Sequence, residues 1–103
     1  NYALALDALK PLTSIENSVI ASTAILRSAS LHLELGQHEE ALSALNIENV
    51  EGFSGLFYNL AGDVYLDLGN IEEAKKNYAL AIENITENSS LTQLIQIKLD
   101  DLS

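Results

Sequence analysis

Apolar positions along this chain recur with the spacing of a helix and not with the alternation of a strand. In 90–102, Leu91, Leu94, Ile95, Leu99 and Leu102 fall on one helical stripe with Lys98 among them. Ser89 or Ser90 stands where such a helix is capped. The same period predicts helices over about 19–35, 38–46, 55–68 and 71–85. Residues 2–12 carry Ala5, Leu9 and Leu12 at spacings that again share one side of a helix. With one Pro and five Gly in the whole chain, few residues interrupt these patterns.

The helical segments repeat. Leu35-Gly36-Gln37-His38-Glu39-Glu40-Ala41 and Leu68-Gly69-Asn70-Ile71-Glu72-Glu73-Ala74 share Leu, Gly, Glu, Glu and Ala in register. The offset is 33 residues, next to the period of about 34 of the tetratricopeptide repeat. In the second copy Tyr58, Ala61, Gly62 and Tyr65 take the W-x2-L-G-x2-Y positions of that repeat. Ala74, Tyr78 and Ala81 take its A-x3-F-x2-A positions. The closing Pro is missing, with Thr86 near its place. Ala61, Gly62 and Ala74 are small enough for two helices to approach closely, and Tyr58, Tyr65 and Tyr78 fill the space around them. Gly69 ends the first helix in the left-handed backbone region that costs glycine least. Glu72 and Glu73 favour the first turn of the next helix through its dipole.

The first copy is more degenerate. Ile25, Ser28, Ala29 and His32 take the first-helix positions, Gly36 the turn, and Ala41 and Leu45 the second helix. Glu48 replaces its last small residue, so this helix is expected to end early and 46–55 to form a connection. The expected organisation is therefore all-α, an α-solenoid of tetratricopeptide-type helical hairpins in one domain, 1–103. Residues 1–12 are the second helix of a truncated repeat, 19–48 and 55–86 are repeats, and 90–102 is a C-terminal capping helix. Self-association through an open end of so short an array is compatible with this organisation.

Composition narrows the function. The 103 residues suit one domain, and 48% hydrophobic residues suffice for its core. Met is absent, at position 1 as elsewhere, so the chain is expected to be part of a longer one. Cys is absent too, which excludes disulfides and thiolate metal sites. The net charge of −10 repels a phosphate backbone and an anionic lipid surface, so neither nucleic acid nor membrane is an expected partner. It serves either to keep a small domain soluble or to attract basic or mixed-charge partners.

The chain carries no recognisable catalytic or cofactor motif. His32 and His38 lie six residues apart across a predicted turn, a spacing that does not join them on one ion. Asp63, Tyr65 and Asp67 alternate as in a calcium loop, but Leu68 stands where that loop needs glycine and the segment reads as helix. There is no glycine-rich phosphate loop, and no Ser, His and Asp set has a motif context. No catalytic residue, cofactor or metal is expected. Asn84-Ile85-Thr86 and Asn88-Ser89-Ser90 match the glycosylation sequon, a short pattern that bears only on secreted eukaryotic proteins.

A repeat of this kind binds polypeptides along the face lined by its first helices. The positions between the packing residues are Thr23, Leu26, Arg27, Ser30, Leu33 and Glu34 in the first copy. In the second they are Leu56, Asn59, Leu60, Asp63, Leu66 and Asp67. They form a candidate peptide-binding groove: leucines bordered by acid, with Arg27 as the one cation. That balance disfavours the basic clamp by which some relatives of the repeat hold a carboxylate. The leucines serve either this groove or packing against neighbouring helices.

The C-terminal half resembles a particular family. The linker Glu51-Gly52-Phe53 stands before the last repeat, and after its Ala61-Gly62-Asp63, Gly69 and Ala74 comes the tail Leu91-Thr92-Gln93-Leu94-Ile95-Gln96-Ile97-Lys98-Leu99-Asp100-Asp101-Leu102-Ser103. Tail and linker are similar to those of the YfgM family, the ancillary subunit of the bacterial Sec translocon, and the resemblance covers roughly residues 20–103. It implies a non-catalytic domain on the periplasmic face of the inner membrane, anchored by an N-terminal membrane-spanning helix outside this stretch. It also implies association with translocon subunits, periplasmic chaperones and exported chains. A scaffold of another envelope assembly complex would need only the repeats.

Overall fold

The computed structural model describes residues 2–11, 18–46, 52–85 and 89–103. Among them are six α-helices and no strand: α1 Tyr2–Leu9, α2 Ser18–Glu34, α3 His38–Leu45, α4 Ser54–Asp67, α5 Ile71–Glu83 and α6 Ser90–Asp101. The all-α class follows from the helical period and the scarcity of breakers. Residues 47–51 of the connection expected at 46–55, and Thr86, lie outside the described residues. The helices fall into two compact units, residues 1–50 and 51–103.

In the first unit, α1 packs on α2 and α2 on α3. Ala21, Ala24, Ile25 and Ala29 are buried along one stripe of α2, and Ala41 is buried on α3. The α2–α3 turn closes on Gly36 at φ +75°. The Gly36 N–H donates to the Leu33 carbonyl at 3.0 Å and the Gln37 N–H to the His32 carbonyl at 2.8 Å. These two bonds satisfy the carbonyls that a helix end leaves free. α3 stops at Leu45, short of Glu48.

The second unit is built the same way, more regularly. Gly69 has φ +81°. Its N–H donates to the Leu66 carbonyl at 3.0 Å, and the Asn70 N–H to the Tyr65 carbonyl at 2.9 Å. Asn70 then caps α5, its Oδ1 accepting from the Glu73 N–H at 3.3 Å, with Glu72 and Glu73 in the first turn. Gly55 and Gly62, two helical turns apart, bring α4 onto α5. A Cβ at Gly62 would sit 2.5–3.0 Å from three ring atoms of Tyr78, and one at Gly55 would run into Ile85. The tyrosine thus occupies the space that the missing side chain leaves.

α6 closes the unit against α5. Ser89 caps it, Oγ accepting from the Thr92 N–H at 3.4 Å. The core is Ala74, Tyr78 and Ala81 of α5 with Ile95 of α6. Tyr58, Tyr65, Ile82, Ile85, Leu91, Leu99 and Leu102 pack around it. Burial of Tyr78 and Ile95 stabilises the unit by about 1.5–3 kcal/mol each before entropy is counted. One expectation for α6 is corrected. Leu94 is 50% exposed and does not share the inward stripe of Leu91, Ile95, Leu99 and Leu102. Adjacent residues are turned about 100° apart on a helix, so only one of Leu94 and Ile95 points straight into the core.

Candidate protein-interaction face

The helix period places Leu26, Arg27, Ser30, Leu33 and Glu34 on one face of α2. In α4 it does the same for Leu56, Asn59, Leu60, Asp63, Leu66 and Asp67. None of the eleven is buried. Arg27, Ser30, Glu34, Leu66 and Asp67 are exposed; Leu26, Leu33, Leu56, Asn59, Leu60 and Asp63 are half-buried. The residues beside them in α4, Phe57, Ala61, Gly62 and Val64, are buried instead. In α2 the buried stripe of Ala21, Ala24, Ile25 and Ala29 lies apart from the candidate positions, whereas in α4 Asn59 and Asp63 also meet α5 and α6.

In the second unit this face carries a bonded network. The Tyr78 hydroxyl donates to Asp63 Oδ1 at 2.5 Å. Lys98 Nζ, from α6, donates to the same oxygen at 3.1 Å and to Asn59 Oδ1 at 3.2 Å. The ammonium also lies 5.4 Å from the centroid of the Tyr78 ring, an attractive cation–π position. Burial pushes the Tyr78 phenol well above its ordinary value, and the Asp63 hydrogen bond and charge push it further. The phenol therefore stays a neutral donor.

One expectation changes here. Arg27 is not the one cation near these residues, because α6 brings Lys98 to Asn59 and Asp63. The Asp63 charge is balanced by Lys98 and its oxygen is shared with Tyr78. The local signal for this was the single cation in the otherwise apolar stripe of α6. A cation there needs a carboxylate or solvent, but nothing in the sequence says which carboxylate it meets.

In the first unit His32 Nδ1 lies 2.7 Å from Gln37 Oε1. A carboxamide oxygen only accepts, so this nitrogen carries the proton. That contact occupies the Gln37 side chain, which makes no cap on α3. Among the described residues no cluster of His, Cys, Asp and Glu is arranged to hold a metal ion. No helix among them is long and apolar enough to cross a membrane.

The family model of the tetratricopeptide repeat-like domain matches residues 1–103. The chain is 37% identical over 103 residues to the ancillary SecYEG translocon subunit of Aggregatibacter actinomycetemcomitans, an alignment covering 99% of this chain and 50% of that protein. A protein of the same name from Neisseria gonorrhoeae is 33% identical over 91 residues, covering 88% of this chain and 44% of that protein. A third, from Haemophilus influenzae, is 30% identical over 91 residues, with the same coverage. The chain spans about half the length of the curated relatives it matches. No solved structure matches it.

Proposed function

The chain belongs to the tetratricopeptide repeat-like family, and from that premise we propose that it is a non-catalytic binding module serving protein export across the bacterial inner membrane. The observation that carries the reading is its similarity, over nearly its whole length, to proteins named as ancillary subunits of the SecYEG translocon. On this reading the domain works on the periplasmic face, held there by a membrane-spanning helix elsewhere in the longer protein. Its partners are translocon subunits, periplasmic chaperones and the exported chains that pass between them. The half-buried leucines of α2 and α4, with exposed polar neighbours, suit transient contact with such segments. Leu26 and Leu33 of α2, and Leu56 and Leu60 of α4, offer apolar surface without full burial, while Ser30 and Glu34 keep the first face wetted and Asp67 the second.

Photo-crosslinking in the intact, membrane-anchored protein tests this. The reactive group goes at Ser30 or Leu66, which are exposed and outside the Lys98 network. Crosslinks to translocon subunits, chaperones or exported chains are expected. Crosslinks confined to an unrelated envelope complex would leave a repeat scaffold of different purpose, and crosslinks between two copies would mark the face as a dimer interface.

A further inference from the structure

We propose that the outward side of α6 is a docking ridge for a basic amphipathic helix of a partner polypeptide. This surface is distinct from the candidate faces of α2 and α4 and does not depend on them.

Leu94 is 50% exposed and Ile97 57% exposed, and they stand one turn apart on the same side of α6. Asp101 follows one turn after Ile97, also exposed. Asp100 lies beside it, accepting from Gln96 Nε2 at 3.0 Å. The ridge is therefore apolar at its centre and negative at its C-terminal end, where the helix dipole adds to the negative potential. The one cation of α6, Lys98, points the other way, into Asp63 and Asn59. Nothing on α6 itself offsets the carboxylates on its outer side.

The repeat register identifies the kind of partner. At the 33-residue offset, Leu94 and Ile97 correspond to Ala61 and Val64 of α4. Those two are 9% and 0% exposed. The positions this repeat uses for packing are thus apolar in α6 as well, and uncovered there. Apolar side chains at i and i+3 form a ridge that fits the groove of another helix. The adjoining carboxylates ask that helix for Lys or Arg next to its own apolar stripe. A second copy of this chain meets the electrostatics less well, since each carries a net charge of −10.

The test uses the whole chain, labelled for amide NMR, and two synthetic helical peptides of about 18 residues. One is built of Leu and Lys, the other of Leu and Glu in the same pattern. The Leu/Lys peptide is expected to move the amide signals of α6 around Leu94, Ile97 and Asp101, and the Leu/Glu peptide to leave them in place. Leu94→Ser with Ile97→Ser is expected to weaken binding about tenfold or more. Both side chains project into solvent, so the helical circular-dichroism spectrum should be unchanged. Asp101→Asn should flatten the salt dependence of binding. Three results overturn the proposal: signals that move on α4 instead of α6, binding indifferent to the double substitution, or sedimentation showing a dimer that the double substitution dissolves. The crosslinking from Ser30 and Leu66 probes other surfaces, so the two readings fail independently.

Discussion

Replacing Gly62 by Ala sets two effects of known sign against each other. Gly62 is inside α4, where Ala is the better helix former by about 0.8–1 kcal/mol. Against this, the new Cβ would lie 2.5 Å from Tyr78 Cε1, 2.6 Å from Cδ1 and 3.0 Å from Cζ. Contacts that short demand that something move. The ring is 0% exposed, its hydroxyl is tied to Asp63, and the Lys98 ammonium lies against it. It cannot withdraw without breaking that network or opening the α4–α5 interface. Overpacking of this kind costs about 1–3 kcal/mol, before the network is counted. Steric cost therefore matches or exceeds propensity, and Gly62→Ala should destabilise the chain by up to about 2 kcal/mol, with any loss of the network added to it. The melting midpoint should fall, by up to roughly 15 °C for a domain of this size. Urea unfolding followed by circular dichroism measures it, with an unchanged denaturant slope showing that the native surface is retained. On a Tyr78→Leu background the ring atoms are gone, and the same substitution should cost little or stabilise. The two changes should thus couple by about 1 kcal/mol or more. A Gly62→Ala protein more stable than the parent, with Tyr78 in place, would refute the close-packing argument.

Two further outcomes follow from the same core. Ile95→Ala, at 0% exposure beside Tyr78, should cost about 2–5 kcal/mol in chemical unfolding and loosen α6 first in amide exchange. The raised phenol of Tyr78 sets an alkaline limit. Its folded value lies above the ordinary 10.0, so the unfolded chain loses this proton first as pH rises. Its contribution is complete below about pH 10 and is lost above it, with a slope approaching 1.4 kcal/mol per pH unit. Unfolding measured between pH 9 and 11.5 should show that slope in the parent and a shallower one in Tyr78→Phe; equal slopes would place the cause elsewhere.

The relation of Leu94 to Ile95 illustrates how much of this was legible beforehand. A helical period assigns a residue to a face only within the width of an apolar stripe. Leu91, Leu94, Ile95, Leu99 and Leu102 all fit one stripe on paper, yet Ile95 is wholly buried and Leu94 half exposed. The rotation of α6 about its own axis decided between them, and that rotation is set by what α5 presents. Lys98 shows the same limit. Its partners Asp63 and Asn59 are 35 and 39 residues away, and no local rule links positions so far apart. That none of the eleven candidate residues is fully buried was legible, because they are the complement of the repeat's packing positions. The bonds two of them make were not.

The sequence alone determined the helices, their turns and the repeat register, because each rests on chemistry within a few residues. The apolar period selects helix, Gly36 and Gly69 supply the positive φ that closes each hairpin, and Asn70 and Ser89 cap the helices that follow. Close packing at Gly62 was also foreseeable, since a repeat that juxtaposes small residues with aromatics leaves few other arrangements. Only the tertiary structure decided which acid Lys98 neutralises, that Tyr78 donates to that same acid, and which apolar residues of α6 remain on the surface. Those outcomes depend on how whole helices are rotated and spaced against one another. Many side chains fix that balance jointly, and no short stretch of the chain contains it.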